Sequence, residues 1–392
     1  MAVTAPAQPF TVHVADEVLE DLRYRLEHTR WPLDYNNDDW RYGANRAYLE
    51  SFVDYWAHEF DWRKMEAQIN AFANFRCEID GIPIHFIHEK GKGPNPIPVI
   101  LTHGWPWTFW DLNAVIRPLS DPASFGGDPA DAFDVIVPSL PGYGFSTPLT
   151  TPGVNSITTA DLWHTLMTEA LGYSRYGAQG GDWGAIVSAQ MGHKYADELY
   201  GVHLTLPALP GPDAKWSLLK PEAYGPGEEG WYDRYRSKWD STTVHMSAHS
   251  RSPQTLAFAF NDSPVGLAAW IIERRRAWGD TGGDVESRFS KEFLATTLTI
   301  YWVTESIGTS MRYYWERANA HWQPSHDRKP TVEAPTGIPV FPGELILMPR
   351  SIAEKASNLV HWTIQPEGGH FAPAEVPDLV VADVRQFFRK LR

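Results

Sequence analysis

Residues 179–186 read Gln-Gly-Gly-Asp-Trp-Gly-Ala-Ile, and their chemistry centres on Asp182. The residues just before them, 175–178, have the pattern of a short strand, and residues 185–195 that of a helix. A strand, a tight glycine-bounded turn and a helix make a nucleophile elbow, most often written G-x-S-x-G. Here the frame is Gly180-x-Asp182-x-Gly184, with a carboxylate where serine usually stands. The small residues on either side let the strand and helix backbones approach each other closely. Serine needs a base before it can attack, whereas a carboxylate is already an anion at neutral pH. It can attack an electrophilic carbon and form an alkyl ester, which water must then cleave. That sequence of steps suits epoxides or alkyl halides and does not suit ordinary esters or amides. The bland alternative is a glycine-rich turn whose aspartate caps the helix that follows.

An elbow works only if other elements bring partners to it. Upstream, the apolar run Ile97–Thr102 reads as a buried strand leading into His103-Gly104-Trp105-Pro106. A loop in that place supplies the second oxyanion-hole N–H of an α/β-hydrolase, here that of Trp105, beside the N–H of Trp183 after the nucleophile. Further strands are read at Phe133–Pro138 and at residues 201–206, with an amphipathic helix over 158–171. Strands alternating with helices predict a mostly parallel sheet covered on both faces. The alternation stops after Pro207, and residues 210–326 are helical in pattern and crowded with aromatics, as an inserted lid would be. A strand-and-loop pattern returns at residues 338–345, with Glu344 on the loop, and a further strand at residues 359–364, followed by Glu367-Gly368-Gly369-His370. Asp182, Glu344 and His370 therefore stand in the order nucleophile, acid, histidine that an α/β-hydrolase uses. In that arrangement His370 draws a proton from water and Glu344 orients its ring.

These patterns divide the chain into a helical N-terminal domain over residues 1–95, a core over 96–207 and 330–392, and a helical cap over 208–329. The first domain carries helical periodicity over residues 14–26 and 40–60, then a hairpin around Asp80-Gly81. Its His85 and His88 are expected on the sheet surface, without the acidic or cysteine neighbours that a metal site needs. The net charge of −14 over 392 residues argues against nucleic acid or an anionic membrane as partner. A lone cysteine, Cys77, leaves no internal disulfide, which fits a reducing compartment. No signal peptide is visible and no run of about 18 apolar residues occurs, so a cytoplasmic location is expected. No cofactor is called for by this chemistry.

The motifs His103-Gly104-Trp105-Pro106, Gly180-Gly181-Asp182-Trp183-Gly184, Asn261-Asp262-Ser263-Pro264-Val265-Gly266-Leu267-Ala268-Ala269-Trp270, Phe341-Pro342-Gly343-Glu344-Leu345 and Gly368-Gly369-His370-Phe371-Ala372 together resemble the microsomal-type epoxide hydrolases. Thr29-Arg30-Trp31-Pro32 resembles a motif of that family's N-terminal domain, so the likeness spans nearly the whole chain. The anchor of the mammalian members is not seen here, as in the soluble microbial relatives. The resemblance implies Asp182 as nucleophile, Glu344 and His370 as the water-activating pair, and Trp105 and Trp183 as the oxyanion hole. It also implies two lid tyrosines that donate to the epoxide oxygen. Tyr314 matches one, with Tyr313 beside it as packing. The second tyrosine falls on His245, and a usual glutamine falls on His249. An imidazole can donate one N–H while neutral or a stronger bond when protonated. His245 and His249 stand one helical turn apart and could also pair on a metal, although no third ligand is evident.

The leading expectation is a cofactor-independent epoxide hydrolase that makes a vicinal diol through an ester at Asp182. A haloalkane dehalogenase shares the elbow but resembles this chain less at Trp105 and Tyr314. A lid-bearing binding protein with a disabled site is the reading from another class, favoured by His245 alone. The 18 tryptophans suggest aromatic-lined pockets or heavy packing, and the aromatic lid points to an aromatic or bulky epoxide. The N-terminal helices could clasp the lid of their own chain or meet a second subunit in a homodimer.

Overall fold

The computed structural model describes residues 1–211 and 218–392. Residues 212–217, expected within the start of the cap, lie outside the described residues. The chain opens with β1 (Val3–Pro9), then α1 (Asp16–Glu27), α2 (Arg46–His58) and α3 (Trp62–Asn70). The expected hairpin follows as β2 (Asn74–Ile79) and β3 (Ile82–Glu89). Asp80 and Gly81 both have positive φ, 49° and 75°, which matches the twist a two-residue hairpin turn requires. Next come β4 (Ile97–Thr102), α4 (Asn113–Ser120), β5 (Phe133–Pro138), α5 (Ser156–Thr165), β6 (Tyr176–Gly180), α6 (Trp183–Lys194) and β7 (Leu199–Leu204).

Among the described residues, five α-helices then lie between β7 and the next strand: α7 (Trp231–Arg251), α8 (Pro253–Phe260), α9 (Pro264–Trp278), α10 (Lys291–Val303) and α11 (Ile307–Asn319). The chain ends with β8 (Val332–Val340), α12 (Arg350–Ala356), β9 (Ser357–Ile364), α13 (Ala372–Glu375) and α14 (Pro377–Arg389). Among the described residues the strands form a nine-stranded sheet in the order β1-β2-β3-β5-β4-β6-β7-β8-β9. Pairs from β5 through β9 are parallel, while β1, β2, β3 and β5 pair antiparallel. β4 and β5 are Val- and Ile-rich, and every residue of β4 is buried, as a sheet covered on both faces demands. The fold is an α/β-hydrolase fold with a mostly parallel sheet.

Two features depart from the sequence reading. The first 95 residues are not only helical, because β1, β2 and β3 extend the core sheet. β1 went unread since Pro6 and Pro9 lie in it; proline is tolerated there because β1 is an edge strand with a single partner. The helix expected over residues 40–60 begins only at Arg46, where the Asn45 side chain accepts from Tyr48 N–H, and α3 is a separate helix capped by Asp61. The N-terminal helices clasp the lid of their own chain. Trp56 of α2 donates to Thr299 Oγ1 of α10 at 2.9 Å, and Arg25 of α1 pairs with Asp262 at 2.6 Å. Among the described residues no single helix is long and apolar enough to cross a membrane.

Candidate active site

β4 and β6 are adjacent and parallel, with Thr102 opposite Gly180, so the loops that follow them leave the sheet side by side. The order reverses here: β5 was added on one flank of β4 and β6 on the other. Ligands of open α/β sheets bind at such a switch point. The elbow forms because Gly180 and Gly184 carry no Cβ: one at Gly180 would overlap the Gly184 backbone, and one at Gly184 the Thr102 carbonyl. Asp182 is held at φ 49°, ψ −124°, a conformation that costs a non-glycine residue about 1–3 kcal/mol. Trp105 N–H donates to Asp182 Oδ1 at 2.8 Å. Gly104 passes so close to Asp182 that a Cβ there would overlap the carboxylate. Trp183 is the first residue of α6, where N–H groups have no acceptor within the helix.

β8 and β9 run in parallel to Val340 and Ile364, which brings their following loops together. Gly343 N–H donates to the Gly368 carbonyl at 2.9 Å, and His370 Nδ1 meets Glu344 Oε1 at 2.7 Å. His370 Nε2 lies 3.3 Å from Asp182 Oδ2, an ion-pair distance without hydrogen-bond alignment. Burial lowers the His370 pKa, but Glu344 and Asp182 outweigh it and raise it to about 9. The free site therefore holds an imidazolium between two carboxylates at neutral pH.

The lid supplies the opposite wall. His245 of α7 stacks on Trp105, 5.1 Å between ring centroids and 11° between planes. Tyr314 of α11 lies edge-on to Trp183 at 4.6 Å, to His249 at 5.0 Å and to His245 at 5.3 Å. Burial raises the Tyr314 pKa well above that of a free phenol, with Asp182 adding to the effect, so its hydroxyl stays protonated. Burial pushes His245 well below the usual histidine value, helped by His249, Arg274 and His370. Burial likewise takes His249 down to about 3. The charged-donor alternative for His245 thus has no support, and both lid imidazoles are neutral.

Residues 7–112 match the epoxide hydrolase N-terminus family, and residues 97–311 the alpha/beta hydrolase fold family. A Stigmatella aurantiaca protein with a provisional epoxide hydrolase name is 38% identical over 98% of this chain and 85% of its own. The chain belongs to the microsomal-type epoxide hydrolase family. Epoxide hydrolase 1 of Oryctolagus cuniculus is 35% identical over 97% of this chain and 88% of its own. The solved structure of the Aspergillus niger epoxide hydrolase superposes with a TM-score of 0.84 at 29% identity, covering 100% of this chain and 98% of that one. This chain is thus an enzyme of the epoxide hydrolase class.

The structure brings Asp182, Trp105, Trp183, Glu344, His370, Tyr314 and His245 to one place. Tyr313 turns its hydroxyl to Thr159 Oγ1 at 2.8 Å, as a packing residue would. His85 is buried between Ser139 and Asn74 and not on a sheet surface; burial lowers its pKa to about 3. Among the described residues no group of three or more His, Cys, Asp or Glu is placed to hold a metal.

Several residues of the epoxide hydrolase site escaped the sequence reading. Arg275 of α9 and Asp111, both fully buried, form an ion pair at 2.5 Å, and the same guanidinium donates to the Pro106 carbonyl at 3.0 Å. This ties the lid to the Trp105 loop. Lys238 of α7 donates to the Gly343 carbonyl at 2.6 Å, tying the lid to the Glu344 loop. His103 accepts from Leu140 N–H on Nε2 at 3.0 Å and so carries its proton on Nδ1, 2.9 Å from the Gly104 carbonyl. Only the Thr108–Asp111 spacing, a capping box, gave a local signal. Asp111 and Arg275 are 164 residues apart, and no periodicity links them.

Proposed function

We propose that this enzyme opens an epoxide to a vicinal diol through a covalent ester on Asp182. The observation that carries the reading is the division of labour at the carboxylate, where Oδ1 is gripped by Trp105 N–H and Oδ2 faces His370. Oδ2 attacks a ring carbon and the carbon–oxygen bond of the ring breaks. The leaving oxygen is held by the Tyr314 hydroxyl and an N–H of neutral His245, which stabilise charge where it develops. Esterification removes the Asp182 anion, one of the two charges that keep His370 protonated. His370 then gives up its proton, which balances the alkoxide formed in the same step.

Neutral His370 is now a base, oriented by Glu344. It takes a proton from water as the water oxygen adds to the Asp182 carbonyl carbon. The oxyanion sits on Oδ1, held by the N–H groups of Trp105 and Trp183. Collapse releases the diol and restores the carboxylate beside an imidazolium, so charge and protons close over the cycle. The rings of Trp105, Trp183, Trp278 and Tyr314, packed on one another at the site, support an aromatic or bulky epoxide as substrate.

Mixing the His370→Ala variant with an epoxide that the wild type turns over should give a protein heavier by one substrate mass. The adduct should be absent in Asp182→Ala/His370→Ala. Turnover by the wild type with no adduct in His370→Ala would overturn the ester mechanism. Halide release from haloalkanes without diol formation from any epoxide would overturn the substrate class.

A further inference from the structure

His249, one turn beyond His245 on α7, is fully buried and plays no part in the chemistry above. Its Nε2 lies 3.2 Å from Trp270 Nε1 of α9. An indole nitrogen can only donate, so His249 Nε2 accepts. The Arg274 guanidinium carbon lies over that indole, 3.5 Å from its centroid, a cation that draws electron density from the ring and strengthens the donor. His249 is neutral, so its single proton must sit on Nδ1. That N–H has no acceptor among the described residues.

The other rings in contact with His249 all belong to the active site: Trp105 at 4.6 Å, Tyr314 at 5.0 Å and His245 at 5.6 Å. Around them the indole N–H groups of Trp105, Trp183 and Trp278 also lack acceptors among the described residues. Where lid meets core, the buried polar side-chain atoms left unpaired are therefore mostly donors. Leaving a buried donor unpaired is costly, and a ligand that brings an acceptor recovers that cost. His245 also packs on Trp278, the ring that meets His370, whereas His249 packs on Trp270.

We propose that His249 Nδ1–H is a specificity-determining donor for a hydrogen-bond acceptor on the substrate outside the epoxide ring. Resting on the epoxide hydrolase reading, this defines the substrate class: epoxides carrying an ether, carbonyl or hydroxyl oxygen near the ring, in preference to hydrocarbon epoxides of the same shape. Trp270 is a positioning residue that fixes the tautomer.

The test uses two matched pairs: phenyl glycidyl ether with 4-phenyl-1,2-epoxybutane, and benzyl glycidyl ether with 5-phenyl-1,2-epoxypentane. Within each pair an ether oxygen replaces a methylene. The ratio of kcat/KM, ether over hydrocarbon, is measured for wild type, His249→Phe, His249→Gln and Trp270→Phe. Comparing ratios between enzymes cancels the intrinsic reactivity of the epoxides. For at least one pair the ratio should fall about tenfold in His249→Phe. It should fall by less in Trp270→Phe, and His249→Gln, which keeps an N–H donor, should recover part of it. Ratios unchanged within about twofold in both pairs, in whichever of His249→Phe and Trp270→Phe folds, would overturn the proposal while leaving the epoxide reading intact. An equal loss on both members of each pair would overturn it too, since it would place His249 at the epoxide oxygen or in packing. Failure of the wild type to form a diol from any of the four would instead sink the epoxide reading and take this proposal with it.

Discussion

The two walls of the site are built on opposite plans. On the core side the reacting groups are already paired: Asp182 Oδ1 with Trp105 N–H, His370 Nδ1 with Glu344, and the loops behind them with each other. On the lid side, His245 and His249 each leave Nδ1, and Trp278 its indole N–H, without a partner among the described residues. A paired wall fixes the geometry of attack before substrate arrives. An unpaired wall holds its donors in reserve for the oxygens that the substrate brings. Arg275 and Lys238 cross between the two, so the lid is fastened to the loops that carry Trp105 and Glu344.

The contrast is broken most severely at the core wall. Asp182→Ala should lower turnover by about 10⁴- to 10⁶-fold, the scale seen when one member of a catalytic unit is removed. Diol formation within tenfold of wild type would mean that water attacks the epoxide directly. The fastening between the walls comes next. Removing one partner of a buried ion pair costs about 3–5 kcal/mol, so Arg275→Met should lower stability by that amount, read by urea denaturation. Asp111→Leu/Arg275→Met should be less destabilised than Arg275→Met, because it leaves no uncompensated charge. If the double variant proves the worse of the two, the pair is stabilising in its own right and not only a tether.

These residues also mark how far the sequence could be read. The core wall was legible because strand-ending loops carry it: Gly180 and Gly184 flank a nucleophile, and Glu344 and His370 each follow a strand. Tyr314 and His245 were placed only through resemblance, since nothing in a helical aromatic segment says which ring faces inward. The Arg275–Asp111 pair, the Lys238 tether and the tautomer of His249 depend on contacts between distant segments and were not legible. β1 failed for a different reason. Pro6 and Pro9 argue against a strand by propensity, and only the edge position of β1 in the sheet makes room for them.

The lid wall gives a smaller but sharper effect. Losing one donor to a developing oxyanion typically costs about 100- to 1,000-fold, and that loss is expected in the alkylation rate of His245→Ala measured in the His370→Ala background. Because burial keeps His245 neutral far below the usual histidine range, the alkylation rate in this background should show no inflection near pH 6 to 7. A rate that falls as pH rises through that range would show a protonated donor. A rate within a few-fold of the parent would make His245 packing and leave Tyr314 as the donor on the lid.

The smallest effect expected is a pH dependence of stability that belongs to the core wall alone. His370 is raised from about 6.5 in the unfolded chain to about 9 in the folded one. A group whose folded pKa is raised binds its proton more tightly in the native state, so it stabilises the fold while that proton is present. The contribution is complete below about pH 6.5, declines as pH rises, and is gone above about 9. At about 1.4 kcal/mol per unit it amounts to at most about 3.5 kcal/mol. His245 and His249, buried and lowered, have the opposite sign and act only at acid pH, so they do not overlap this window. The measurement is urea unfolding of wild type and His370→Gln at intervals from pH 6 to 9.5, taking the difference between the two at each pH to cancel other groups. Wild type should lose its advantage progressively across that range. In a separate arm the ester is trapped in Glu344→Gln, where His370 remains but water activation is weakened. Esterification removes the Asp182 anion, so the trapped protein should show a shallower slope than the same variant unmodified. An advantage that stays flat with pH would mean that His370 is neutral in the free enzyme, and the proton balance proposed for the first step would have to be redrawn around Tyr314.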